Sequence, residues 1–221
     1  MKLFKRVLKN LLPARIVEKR RIEKLRERYG LSKDIKITGR LFISGEFSCK
    51  EGCKFLGDIS IQGNIVLGRY TSLNGPNTDL QALHNSIEIG SFCSIARSVS
   101  FQEFNHRIER PSTYFMAQNV FGLDRKLDTD SKGGITIGND VWIGMHSLIL
   151  SGAHIGHGAI IGANTVVNGE IPPYAIAVGS PARVVGYRFS EKKINELLEM
   201  KWWDWPISKI QKNQDFFLNA Y

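Results

Sequence analysis

Five histidines and three cysteines are the side chains of this 221-residue chain with the strongest claim to chemistry. Histidine exchanges a proton near neutral pH, since its ordinary pKa lies near 6.5. His84, His146, His154 and His157 lie in or beside a regular repeat, at positions expected on corners or outer faces, where a solvated imidazole is the ordinary outcome. His106 stands apart, inside Phe104-Asn105-His106, where the repeat stops. Catalytic groups concentrate in loops carried on a rigid scaffold. His106 is therefore the candidate general base, against the alternative of a structural loop residue. His154 and His157 have the look of a metal pair, but no carboxylate or cysteine joins them, and both are expected to face solvent.

The cysteines carry less. Cys49, Cys53 and Cys93 cannot all pair with one another, which argues against a secreted disulfide scaffold. Cys49 and Cys53 have no second half-site at ligand spacing, so no metal is expected. All three sit on repeat positions, where a small, weakly polar side chain is buried, and none is a candidate nucleophile. No P-loop or dinucleotide-binding glycine fingerprint is present.

What positions His106 is a period of six. One run is Ile37, Ile43, Cys49, Phe55, Ile61, Leu67 and Leu73. A second is Ile89, Ile95 and Phe101, and a third is Ile137, Ile143, Ile149, Ile155, Ile161 and Val167. Four residues beyond these fall small or branched residues such as Cys53, Ile59, Thr71, Cys93, Val141, Ser147, Ala159 and Thr165. Six fits neither the helical period of about 3.6 nor the strand period of about 2. It fits short strands joined by tight corners, with one aliphatic residue pointing inward per face and three faces closing each coil. Glycine and Asn are expected to supply the positive φ of the corners.

The fold class is accordingly all-β, a parallel β-helix over residues 31–188 with an excursion loop at 102–134. Residues 1–30 read as a basic amphipathic helical segment, with Leu3, Phe4, Val7, Leu8, Leu11 and Leu12 on one face before Pro13. Residues 189–221 form a C-terminal helical segment, with Ser190 as N-cap and Ile194, Leu197 and Leu198 sharing a face.

The net charge of +9 is concentrated at one end, because residues 1–30 hold eleven Lys or Arg against Glu18, Glu23 and Glu27. A segment that basic, on a body close to neutral, does not point to nucleic acid. It suits an anionic membrane surface, or equally a helix covering the open edge of the first coil. No stretch approaches the roughly 20 apolar residues of a membrane span, and no secretory signal is evident, so the expected location is cytoplasmic.

Ile135-Thr136-Ile137-Gly138-Asn139-Asp140-Val141-Trp142-Ile143-Gly144, followed by Gly179-Ser180-Pro181-Ala182-Arg183, resembles the hexapeptide acyltransferases. Phe189-Ser190, Leu197-Leu198 and Lys201-Trp202-Trp203-Asp204-Trp205-Pro206 resemble the tail of their xenobiotic acetyltransferase branch, which includes chloramphenicol and streptogramin acetyltransferases and many glycan O-acetyltransferases. The resemblance covers about residues 55–210. It implies a left-handed parallel β-helix, a homotrimer, and acetyl-CoA as donor, with no metal.

By the same resemblance His106, preceded by Asn105, is the general base, and Asn74 contacts the acceptor hydroxyl or the intermediate. A corner Asn in Asn74-Gly75 is the alternative. The matching donor positions are Trp142, Gly144, Met145, Gly162 and Ala163, with Trp142 equally suited to an interface. Relatives often carry a Thr-Lys pair near the phosphates. Here Asn168-Gly169 stands there, and Arg183, Arg188 and Lys132 are the substitutes. Phe104, Asn105 and Tyr114 are candidates for the acceptor.

The expected reaction is acetyl transfer to a hydroxyl of a saccharide, a surface polysaccharide or its precursor, in a ternary complex. Competing readings are an antibiotic acceptor, an amine acceptor such as an amino sugar, and a non-catalytic repeat scaffold. Gln102-Glu103-Phe104 before the Asn-His pair departs from the small lead-in of the drug enzymes.

Overall fold

Aliphatic residues six apart place one apolar side chain on each of three walls, and stacking the turns buries all of them in one column. The computed structural model describes residues 14–219 and shows a three-walled parallel β-helix. The apolar face expected over Leu3 to Leu12 lies outside the described residues. The first wall stacks Lys36–Thr38, Lys54–Leu56, Ser72–Asn74, Ser94–Ile95, Trp142–Ile143, Ile160–Ile161 and Ala175–Val178, then the antiparallel Arg183–Tyr187. The second stacks Leu41–Ser44, Ile59–Gln62, Thr78–Gln81, Ser100–Gln102, Leu148–Leu150 and Val166–Val167. Phe47–Cys49, Ile65–Leu67, Ile87–Ile89, Ile135–Ile137, His154–Ile155 and Glu170–Ile171 form the third.

The register advances eighteen residues per coil at Ile37↔Phe55 and Phe55↔Leu73. It advances 22 at Leu73↔Ile95 and 48 at Ile95↔Ile143. Most of the first excess falls between Gln81 and Ile87, at the corner after the second wall. The second is the excursion, which leaves from the same corner one coil higher.

The periodic aliphatic residues fill the interior. Phe55, Ile61, Leu73, Ile95, Phe101, Ile143, Ile149, Ile155 and Val167 are all fully enclosed. Buried hydroxyls among them find backbone acceptors, as Thr71 does at Gly90 O (2.6 Å) and Ser147 at Gly162 O (2.9 Å).

Glycine and Asn supply many of the left-handed corners as expected, among them Gly39, Gly57, Gly63 and Asn164, but they do not supply all of them. Tyr70, Phe92, Ser98, Asp140, His146 and Tyr174 hold left-handed backbone at φ between 56° and 60°, where glycine or Asn was expected. Such backbone costs about 1–3 kcal/mol per bulky residue. Stacking of Tyr70 on Phe92 (5.3 Å, 6°), and the tilted contact of Phe92 with Trp202 (5.1 Å, 50°), offset part of that cost.

Helix α1 (Ala14–Tyr29) lies on the first coil, with Ile22, Leu25 and Tyr29 packed against the core. Arg21 donates to Leu41 O (3.2 Å) and Gly39 O (2.6 Å), Arg26 to Ile35 O (2.6 Å), and the Tyr29 hydroxyl to Ile43 O (3.2 Å). The helix thereby satisfies the open carbonyl edge of the sheet, which would otherwise be free to pair. No helix among the described residues is long and apolar enough to cross a membrane. The excursion contains the one-turn helix α2 (Met116–Asn119), and α3 (Glu191–Met200) follows the last strand, capped by Ser190.

Candidate functional site

The excursion is anchored by a residue that sequence reasoning passed over. Glu103 is fully buried where the chain leaves the second wall. Its Oε2 accepts from the backbone N–H groups of Leu83 and His84, both at 2.9 Å. Its Oε1 accepts from Asn85 N (3.0 Å), Asn85 Nδ2 (2.7 Å) and the Ser131 hydroxyl (2.6 Å). Burial alone would raise this carboxyl, but the hydrogen bonds from Ser131, Leu83, Asn85 and His84 outweigh it and hold the pKa below the usual range. One carboxylate thus joins the inserted residues of the coil below to both ends of the excursion. The sequence signal was the local surplus of residues near 83–85 beneath an acidic residue at the exit, legible only once the coils are stacked.

Beyond Glu103 the two arms of the excursion, Asn105–His106 and Thr129–Asp130, pair antiparallel, with His106 opposite Thr129. His106 is exposed, and its Nδ1 lies 2.6 Å from Thr113 O. A carbonyl can only accept, so Nδ1 carries a proton, and in the neutral ring the lone pair is then on Nε2. That is the tautomer a proton acceptor requires. The ring sits edge-on to Phe115, at 4.4 Å and 62°. Arg125 covers Phe115 (5.2 Å) and Phe104 (4.7 Å), so Phe104, 4% exposed, packs into the base of the loop. Asp128 is buried too, and accepts from Ala117 N (2.8 Å) and Gln118 N (2.9 Å) at the start of α2.

The other acceptor candidates are placed as follows. Asn105 Nδ2 donates to the buried Ser151 hydroxyl at 2.8 Å. Tyr114 is exposed beside Thr113, whose carbonyl fixes His106. Asn74 is half-buried and donates to Ile95 O at 2.7 Å, which ties it to the coil above.

Asn74 shares a corner with Gly144, Met145, Gly162 and Ala163, the one after the first wall. His106 belongs to the next corner, and no hydrogen bond among the described residues joins it to Asn74. Trp142, Met145 and Ala163 are exposed there, while Gly144 is buried. A Cβ on Gly144 would lie 2.5 Å from Ala163 N, so coil stacking itself demands glycine at this position.

Asn168 is exposed past the second wall, and exposed Arg183 donates to Ala182 O (3.0 Å). Lys132 is also exposed. Arg188, a substitute for the phosphate contact, is tied instead to Asp140 on the third corner.

Two expectations about the remaining histidines change. His157 does not face solvent: it is half-buried, accepts from Asn139 N at 2.8 Å, and stacks on Trp203 at 4.7 Å. Burial lowers its pKa, so it stays neutral as an acceptor. His84 is half-buried under the excursion, with Nε2 2.8 Å from the Thr129 hydroxyl. His146 and His154 are exposed. Burial pushes the Cys93 thiol up to about 12, which withholds thiolate at neutral pH. Among the described residues no group of three potential metal ligands occurs.

Comparison with known proteins adds four findings. The family of bacterial transferase hexapeptides (six repeats) matches residues 134–169. Chloramphenicol acetyltransferase of Klebsiella aerogenes is 43% identical, over 72% of this chain and 84% of its own. The putative lipopolysaccharide biosynthesis O-acetyl transferase WbbJ of Escherichia coli strain K12 is 33% identical, over 54% of this chain and 55% of its own. Among solved structures, a point mutant of the N-acyltransferase AntD from Bacillus cereus superposes with a TM-score of 0.61. At 20% identity, over 75% of this chain and 88% of that one, it is a likeness of fold.

Proposed function

The chain belongs to the hexapeptide-repeat acetyltransferases, and on that premise we propose that it moves an acetyl group from acetyl-CoA to a hydroxyl of a saccharide, either a surface polysaccharide or its precursor. One observation carries the chemistry: His106 is exposed on the excursion with Nδ1–H held by Thr113 O and Nε2 free. The acceptor oxygen attacks the thioester carbonyl while its proton passes to His106 Nε2. The tetrahedral intermediate then collapses, the carbon–sulfur bond breaks, and the same proton goes to the departing sulfur. A backbone N–H stabilises the oxyanion. Asn105 and Tyr114 border the acceptor, and Phe104 acts through packing.

The donor fits the corner of Trp142, Gly144, Met145, Gly162 and Ala163, where small residues let a pantetheine arm approach the backbone. Exposed Asn168 and Arg183 are the candidates for its phosphates. Because that corner and His106 lie apart on one chain, a complete site joins the corner of one copy to the excursion of another, in a homotrimer. Ile108, Val120, Phe121 and Leu123 are exposed apolar residues of the excursion, as an interface between copies requires.

Residues 14–29 are already used in covering the first coil, so contact with an anionic membrane falls to the preceding segment, with Lys2, Lys5, Arg6 and Lys9 among its apolar residues. Deleting residues 1–13 is expected to abolish co-sedimentation with anionic liposomes; unchanged binding refutes the contact.

Two features favour a saccharide: the likeness to a lipopolysaccharide enzyme, and the bulky Gln102-Glu103-Phe104 lead-in built into the scaffold. The 43% identity to a chloramphenicol acetyltransferase favours a second reading, an antibiotic hydroxyl. Thiol release from acetyl-CoA, measured against nucleotide sugars, oligosaccharides, chloramphenicol and a streptogramin, separates the two. A saccharide is expected to give the highest kcat/KM, and a drug that exceeds every saccharide overturns the first reading.

A further inference from the structure

The third corner carries a cavity that acetyl transfer leaves unused. It measures about 470 Å³ and opens between the last coils and the C-terminal helices. Its walls are aromatic. Tyr174 and Phe189 lie 5.7 Å apart between centroids, and Trp202 and Phe217 lie 5.1 Å apart. Its floor is charged. Arg188 Nη1 donates to Asp140 Oδ2 at 2.9 Å and to Gly158 O at 2.8 Å. The two side chains of this pair keep 28% and 27% of their surface accessible, so the pair borders the cavity and is not sealed from it.

The Tyr174 hydroxyl supplies a second, independent observation. Tyr174 is 1% exposed and lines the cavity, yet its hydroxyl, with Trp202 beside it, makes no hydrogen bond of ordinary geometry. A buried polar group without a well-formed partner is costly, and a ligand hydroxyl reaching it from the cavity would relieve that cost. Burial also pushes this phenol up to about 12, which keeps its proton available for donation.

We propose that this cavity binds the pyranose ring of a saccharide, at a site separate from the one built on His106. A pyranose presents C–H faces that settle on aromatic rings, whose faces carry negative charge density. Its rim of hydroxyls both donates and accepts. A carboxylate that accepts, a guanidinium that donates and a phenol that does either match that rim. A wholly apolar ligand would strip water from the ion pair without replacing its hydrogen bonds. A phosphate would meet the Asp140 carboxylate at close range. Binding here does not depend on which compound is acetylated at His106.

The test uses the full chain and methyl glycosides of glucose, galactose and N-acetylglucosamine, followed by saturation-transfer NMR and tryptophan fluorescence. At least one glycoside is expected to bind saturably in the millimolar range. Phe217→Ala removes an aromatic wall and is expected to weaken that binding at least about tenfold. Tyr174→Phe removes only the hydroxyl, and is expected to weaken binding about threefold without lowering Tm. His106→Ala is expected to bind as the wild type does, which keeps this site distinguishable from the acceptor site. Four results overturn the proposal: no saturable binding, unchanged binding in both pocket variants, loss of binding in His106→Ala, or tighter binding of adenosine than of every glycoside.

Discussion

Replacing His106 by alanine is expected to lower turnover about 10²–10⁴-fold, the usual worth of a positioned general base. The midpoint of that range corresponds to about 4 kcal/mol in the barrier. The loss should fall on kcat, with KM for acetyl-CoA nearly unchanged, because the imidazole meets the acceptor proton and the donor lies along the other corner. Thermal stability should hold, since the side chain is exposed and its one hydrogen bond, to Thr113 O, belongs to the loop. His154→Ala is the control, because His154 is exposed on the third wall and should leave every constant unchanged. Near-normal turnover of a confirmed acceptor by His106→Ala would remove the proton-transfer role. A parallel loss of kcat and Tm would recast His106 as a structural residue of the excursion.

The reading of Ile143, Ile149 and Ile155 as inward residues needed nothing but their spacing, because burial of aliphatic surface is written directly in residue type. Their complete enclosure follows from a period that no helix or simple strand can satisfy. The place of His106 was legible for the converse reason: the period stops at Phe101, and a histidine there has no wall to belong to. The rest depends on partners that residue type does not name. The tautomer of His106 is set by a backbone carbonyl seven residues away, and any residue at 113 has one. His157 looked like a solvated corner residue, yet Trp203, far along the chain, stacks on it. Asn74 and His106 were paired by resemblance, while the stacking of coils assigns them to successive corners. Residues 1–30 were open to two uses, and the arginines of α1 answer carbonyls of the first coil that no pattern in the helix announces.

Glu103 shows the same limit with the largest consequence for the excursion, and Glu103→Gln measures it. The substitution keeps the shape of the side chain but removes the charge and turns one oxygen into a donor. Whichever way the amide faces, an N–H is set against Leu83 and His84, or against Asn85. Hydrogen bonds to a charged group contribute about 1.5–3 kcal/mol each in a dry site, so weakening several should open the stem of the excursion. Turnover is expected to fall about 10–100-fold, or roughly 1.4–2.8 kcal/mol. His106 remains in the chain but is no longer held at its station.

The pH dependence has a fixed sign. A carboxyl whose folded pKa is lowered stabilises fully above its unfolded value, near 4.3 for Glu. It loses that stabilisation as pH falls through the lower folded value. The wild-type excursion should therefore stay closed at neutral pH and open in acid, whereas the Gln variant should be open at both. Amide hydrogen exchange at Leu83, His84 and Asn85 reports this directly, with fast exchange expected in the variant at neutral pH and in the wild type only in acid. Protected amides together with lost turnover would mean that Glu103 acts on the chemistry by some route other than holding the loop. Exchange and turnover both equal to wild type would leave the carboxylate as an ordinary packing residue.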